Sequence, residues 1–132
     1  MSGIALSAEG SNAALTVNDL QRSIKFYTEA LGFEIVYRYE HEGTLKYVRM
    51  QGGQVTMGIG QDDFAKGRDR KKGVGMRFWF TTKQDLDALA SQIKAAGFGI
   101  AHGPAATNWG STELAVVDPD GFNISFEKPA AT

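Results

Sequence analysis

One hundred and thirty-two residues, 42% of them hydrophobic and 22% charged, suit one compact domain that buries about two thirds of the surface its unfolded chain exposes. Fourteen basic against fifteen acidic side chains leave a net charge of −1, so no general attraction for nucleic acid or an anionic membrane is built in. Cysteine is absent, which excludes disulfides, thiolate metal sites and thiol nucleophiles, and only His41 and His102 offer imidazole. The opening stretch has no positive charge and carries Glu9 where a secretory leader would be apolar, and no apolar run reaches membrane-spanning length. The expectation is a soluble, cytoplasmic protein without a nucleic-acid or membrane partner.

Residues 12–17 alternate as a strand does, and Asn18 or Asp19 then caps a helix. Leu20, Ile24, Tyr27 and Leu31 recur at helical spacing, and Gly32 supplies the left-handed residue that ends the helix. Strands over 33–39, 45–50 and 55–59 follow, the first two joined at Gly43 and the last two through a tight Gly52-Gly53 hairpin. The mixed-charge segment 61–73 reads as a linker or lid; Arg68, Arg70, Lys71 and Lys72 are either solvated or the cations that would hold a phosphate. The same order then returns. A strand over 74–81 leads into a capping box over 82–85, and Leu86, Leu89 and Ile93 form a helical stripe closed by Gly97. Strands over 98–101, 112–117 and 122–127 complete the chain, the last two joined by the turn Asp118-Pro119-Asp120-Gly121.

Asp19-Leu20 matches Asp85-Leu86, the Gly-Phe pair at 32–33 matches that at 97–98, and the Gly53 hairpin matches the Gly121 turn. The prediction is an α+β fold of two tandem βαβββ modules, 11–60 and 74–128, in a single domain 1–132. The offset that carries Gly53 onto Gly121 also carries Met57 onto Ser125.

The run from Leu15 to Phe33 resembles the opening strand and helix of the vicinal oxygen chelate superfamily, which includes glyoxalase I, extradiol dioxygenases and bleomycin-resistance proteins. Asp118-Pro119-Asp120-Gly121-Phe122-Asn123-Ile124-Ser125-Phe126 is similar to its closing hairpin, and Trp109-Gly110 to a pair found in many resistance-type members. The resemblance implies an open, cup-shaped β-barrel with the helices outside, commonly in a homodimer. It also implies one metal ligand, histidine or glutamate, on the inner face of the first and last strand of each module. Aligned residue by residue, those four places fall on Asn12, Met57, Gly75 and Ser125. An amide, a thioether, a hydrogen and a hydroxyl are not the imidazole, carboxylate or thiolate set that transition ions take, so neither a metal nor another cofactor is expected.

Strand parity sorts the remaining side chains. Leu15, Val17, Met76, Phe78, Phe80, Leu114, Val116, Ile124 and Phe126 are expected in the core. The opposite, inner faces are expected to carry Asn12, Tyr47, Arg49, Met57, Arg77, Trp79, Glu113, Ser125 and Glu127, with Trp109 at the mouth. This mixture suits a small aromatic or amphipathic ligand with a polar or anionic group, held by stacking and forked hydrogen bonds. Equally, Arg49 and Arg77 could pair with Glu113 and Glu127 to fill the cup. Two functions compete: a metal-free binding protein of the resistance type, which sequesters an antibiotic or metabolite, and a lyase, isomerase or dioxygenase. An enzyme of the second kind would need misassigned metal ligands, or Glu113 or Glu127 as acid or base beside Arg77.

Overall fold

Alternation sets the first strand of the computed structural model, which describes residues 3–130: in β1 (Asn12–Val17), Leu15 and Val17 are buried while Asn12, Ala14 and Thr16 stay open. Asp19 Oδ1 accepts from the Arg22 amide at 3.2 Å and so caps α1 (Leu20–Lys25). The helix then widens into a π-helical turn over Phe26–Ala30, which the sequence pattern does not reveal, and Gly32 at φ +86° ends it. β2 (Glu34–His41), β3 (Thr44–Gly52) and β4 (Val55–Gln61) complete the module, with β4 returning parallel to β1 in the order β1-β4-β3-β2.

The second module repeats the scheme with β5 (Arg77–Thr81), α2 (Leu86–Ala95), β6 (His102–Ala106), β7 (Thr112–Val117) and β8 (Asn123–Lys128). Its order is β5-β8-β7-β6, again with one parallel pair, β5 and β8. The α+β architecture of two βαβββ modules is therefore as expected. Each module curls one four-stranded sheet, and no closed barrel joins the two sheets.

Both helices and one face of each sheet meet in a single core. Leu15, Val48, Met50 and Ile59 from the first sheet, Leu114, Val116 and Ile124 from the second, and Phe26, Tyr27, Leu89 and Ile93 from the helices all belong to it. Phe26 meets Phe98 edge-on at 5.0 Å between centroids, and the Gln92 side chain donates to the Ala30 carbonyl at 2.9 Å, so the modules are joined through their helices. The other face of each sheet is left uncovered by the rest of the chain, with Tyr37, Tyr39 and Trp79 about half exposed.

Residues between β4 and β5 form neither helix nor strand, yet they are tied down. Asp62, buried at the start of the segment, accepts from Lys72 Nζ at 2.8 Å, Arg70 at 3.2 Å and the Phe64 amide at 2.9 Å. Lys72 and this amide, with Arg70 adding to them, hold its carboxyl at about 2. Lys72 is therefore a buried staple rather than a solvated cation. Arg68 lies 4.2 Å over the Phe64 ring.

Three local expectations are corrected. The strand expected over 74–81 begins only at Arg77, because Gly73 and Gly75 both sit at φ +75°, and Met76 is 42% exposed instead of in the core. A Cβ on Gly73 would run into the Gly121 carbonyl, so the segment crosses the second turn at a place only glycine permits. No strand forms over 98–101; the edge strand lies at 102–106, where Pro104 is tolerated because one side of an edge needs no donor. Asp85 alone caps α2, accepting from Asp87 and Ala88, while Thr82 accepts from Gln84 before the helix starts.

Candidate functional site

Backbone register assigns the uncovered faces without reference to exposure. In the first sheet Asn12 stands beside Thr56, Ala14 beside Gly58 and Thr16 beside Gly60; across β3, Gly58 pairs with Arg49 and Gly60 with Tyr47. Tyr37 and Tyr39 of β2 continue these rows opposite Arg49 and Tyr47. In the second sheet Arg77 pairs with Asn123, Trp79 with Ser125 and Thr81 with Glu127, while Ala115 and Glu113 of β7 extend the rows from Ser125 and Glu127. Asn12, Tyr47, Arg49, Arg77, Trp79, Glu113, Ser125 and Glu127 thus all lie on the faces expected of them.

Met57 does not. It is 1% exposed, pairs with Met50, and belongs to the core. The two turns differ in length: Gly52 pairs with Val55 around a short hairpin, whereas Val117 pairs with Asn123 around the longer proline-containing turn. Matching the glycines therefore slips the register by one residue, and a one-residue slip sends a side chain through the sheet. The counterpart of Ser125 is Gly58. Likewise the place expected at Gly75 falls on Arg77, which stands opposite Asn123 as Asn12 stands opposite Thr56.

The four places that the resemblance assigns to metal ligands are accordingly held by Asn12, Gly58, Arg77 and Ser125. An amide, a hydrogen, a guanidinium and a hydroxyl do not fit a transition ion, and a guanidinium repels one. Among the described residues no three of His, Cys, Asp and Glu gather as a metal site. His41 and His102 stand at the end of β2 and the start of β6, on different sheets.

Glycine at 58 has a steric role: the Tyr47 ring lies where a Cβ would be, so the phenol rests flat on β4 and floors the first half-cup. Tyr37 stands beside it at 6.4 Å between centroids, with the Arg49 guanidinium 5.4 Å from the Tyr37 ring. Tyr37 and Tyr39 were not among the expected site residues. Their spacing of two along β2 was the available signal.

In the second half-cup Arg77 Nη1 donates to Ser125 Oγ at 2.9 Å, across from β5 to β8, and Ser125 is completely buried. Glu127 accepts from Trp109 Nε1 at 2.6 Å and from Ser111 Oγ at 2.9 Å. The 107–111 turn is clamped by Thr107 and Ser111, whose hydroxyls lie 2.8 Å apart, and this holds Trp109 over the end of β8. The pairing of Arg49 and Arg77 with Glu113 and Glu127 does not occur; ion pairs among the described residues involve His41, Arg70 and Lys72.

A groove of about 440 Å³ lies elsewhere, at the seam between the modules, lined by Leu31, Phe33, Val55, Phe80, Lys83 and Phe126. Of the residues placed on the uncovered faces above, its lining includes Thr81 alone. Among the described residues no helix is long and apolar enough to cross a membrane.

Comparison with known proteins agrees with this architecture. Residues 11–126 match the family model described as "Glyoxalase/Bleomycin resistance protein/Dioxygenase superfamily". A probable lactoylglutathione lyase of Vibrio parahaemolyticus is 32% identical over 120 residues, covering 83% of each chain. Among solved structures, a glyoxylase/bleomycin resistance protein/dioxygenase domain from a Frankia species superposes with a TM-score of 0.77 at 24% identity, covering 95% of this chain and 93% of that one. TnmS3, an antibiotic binding protein from a Streptomyces species, superposes with a TM-score of 0.71 at 22% identity, covering 97% of this chain and all of the other. The repeated βαβββ unit, its parallel β1–β4 and β5–β8 pairs and the match over nearly the whole chain lead to one conclusion: this protein belongs to the glyoxalase/bleomycin resistance protein/dioxygenase superfamily.

Proposed function

We propose that this protein is a metal-free binding protein that sequesters a small aromatic or amphipathic molecule, an antibiotic or a metabolite, in a cup lined by Tyr47, Arg49, Arg77, Trp79, Trp109, Asn12 and Ser125. The observation that carries the reading is the side-chain set at the four ligand places, Asn12, Gly58, Arg77 and Ser125, set among uncovered aromatic rings. Met57 takes no part. Affinity comes from stacking on the rings and from apolar burial, at about 25 cal/mol for each Å² removed from water. TnmS3, which has the same fold, is an antibiotic binding protein, and this supports the reading.

Each sheet supplies half a cup, and the two core faces lie back to back around the helices, so one chain leaves both halves unclosed. The proposed occupant of each half is the complementary half of a second copy, giving a homodimer with two cups. Half-exposed Tyr37, Tyr39 and Trp79 on these faces are the apolar surface that such pairing would cover.

A lyase reading is favoured by the Vibrio relative, a probable lactoylglutathione lyase. The residues here oppose it: Glu127 is engaged by Trp109 and Ser111, and no imidazole shares its sheet face with Arg77 except at the edge, where His102 pairs with Ala115. Metal analysis of the purified protein, with turnover assays on hemithioacetal and catechol substrates, separates the two. Stoichiometric iron, nickel, zinc or manganese together with turnover would overturn the binding reading. Sedimentation at micromolar concentration tests the dimer, and a monomer throughout would remove it.

A further inference from the structure

We infer that the ligand is an anion, specifically a planar aryl carboxylate whose acid group sits on Arg77 and whose ring lies on Trp79. The inference rests on the cup being the binding site and adds the ligand's chemical class. Arg77 and Trp79 are two residues apart on β5 and on one face, about 6.6 Å from each other along the strand.

Arg77 is held rather than free. Its Nη1 donates to Ser125 Oγ at 2.9 Å, and Ser125 is fully buried, so the guanidinium is anchored from beneath while further N–H donors of its five stay available. The arginine has no ion pair among the described residues: of the two carboxylates on its face, Glu127 is engaged by Trp109 Nε1 at 2.6 Å and Ser111 Oγ at 2.9 Å, and Glu113, on β7, makes no ion pair with it. Arg49, on the other half-cup, stands over Tyr37 and is likewise without an ion pair. The faces thus set two guanidinium groups without ion pairs beside aromatic rings, and an anionic ligand would supply the missing partner. A planar carboxylate accepts two parallel N–H bonds from a guanidinium, which a neutral amide of the same shape does not reproduce.

The test is calorimetric titration of the full chain at pH 7 with 2-naphthoate and with its neutral isostere 2-naphthamide, repeated on Arg77→Gln, Trp79→Ala and, as a control outside the cup, Lys25→Gln on the exposed side of α1, each first checked for native circular dichroism. Expected are at least tenfold tighter binding of the naphthoate, loss of that preference in Arg77→Gln, its retention in Lys25→Gln, and weakening of both probes in Trp79→Ala. Equal binding of the two probes by the wild-type chain, or a preference that survives Arg77→Gln, would overturn the anion inference while leaving the cup reading intact. Binding of neither probe would remove both. Because Arg77 and Trp79 are exposed, loss of folding is not the expected result of either substitution.

Discussion

The Tyr27 hydroxyl, on the first helix, donates to Asp118 Oδ2 at 2.8 Å across a sequence separation of 91 residues, and both groups are buried. Asp118 also accepts from the Asp120 and Phe122 amides through Oδ1, while Asp120 accepts from the Asn18 amide and the Ser23 hydroxyl. The turn that closes the second module is therefore pinned to the helix that opens the first.

Tyr27→Phe removes the side-chain donor to Asp118 Oδ2 and leaves a buried carboxylate oxygen short of a partner, at a cost of about 1–3 kcal/mol, read as a lower urea midpoint at pH 7. Burial, then the neighbouring Asp118 and Asp120 carboxylates, push the phenol far above its ordinary 10.0. The folded chain thus keeps a proton that the unfolded chain releases above pH 10, so stability present below that pH falls as the pH rises beyond it. This part of the alkaline decline should be missing in Tyr27→Phe.

At acid pH the Asp62 staple dominates a different window. Its carboxyl is lowered from 3.8 to about 2, so its contribution is present in full above about pH 4 and lost as the pH falls toward 2. Asp118, raised chiefly by burial, works in the opposite sense, favouring the folded state at low pH and losing that contribution as the pH rises through its folded value. Lys72→Met should shift the acid unfolding midpoint upward, and Asp62→Asn should flatten the slope between pH 4 and 2. Fluorescence-monitored acid titration distinguishes the two.

Gly58→Ala should leave the fold standing but lift the Tyr47 ring from β4, since the new methyl takes its place. Losing that ring from the cup floor should weaken an aromatic ligand by about 0.5–1.5 kcal/mol, roughly two- to twelvefold in Kd. Calorimetry with 2-naphthoate reads the loss, and unchanged affinity would show that Tyr47 does not touch the ligand.

Glu127→Ala should release Trp109 from its 2.6 Å hydrogen bond and the Ser111 hydroxyl with it. In a Trp79→Phe background, Trp109 emission should shift to the red and become more accessible to acrylamide. Because Trp109 is exposed, stability should change by only about 0.5 kcal/mol.

The doubled module was legible because its signals are local: Asp19 and Asp85 cap helices, Gly32 and Gly97 end them, and the strand over 12–17 alternates. The second half-cup was legible too, since Arg77, Trp79, Ser125 and Glu127 follow from parity alone. Met57 was misplaced because side-chain direction depends on the residue count through a turn, and a glycine match cannot see that the second turn is longer. The edge strand at 102–106 has no β-branched or aromatic residue to announce it. The π-helical turn carries no compositional mark, and the engagement of Glu127 by Trp109 depends on a loop fold that spacing does not encode.

The back-to-back arrangement of the sheets has a genetic consequence in a dimer that joins unlike modules. A chain crippled at Arg77 and a chain crippled at Tyr47 would, when mixed, assemble one receptor built wholly from sound halves and one built wholly from damaged halves. Two defective alleles would then restore part of the wild-type capacity in the same cell.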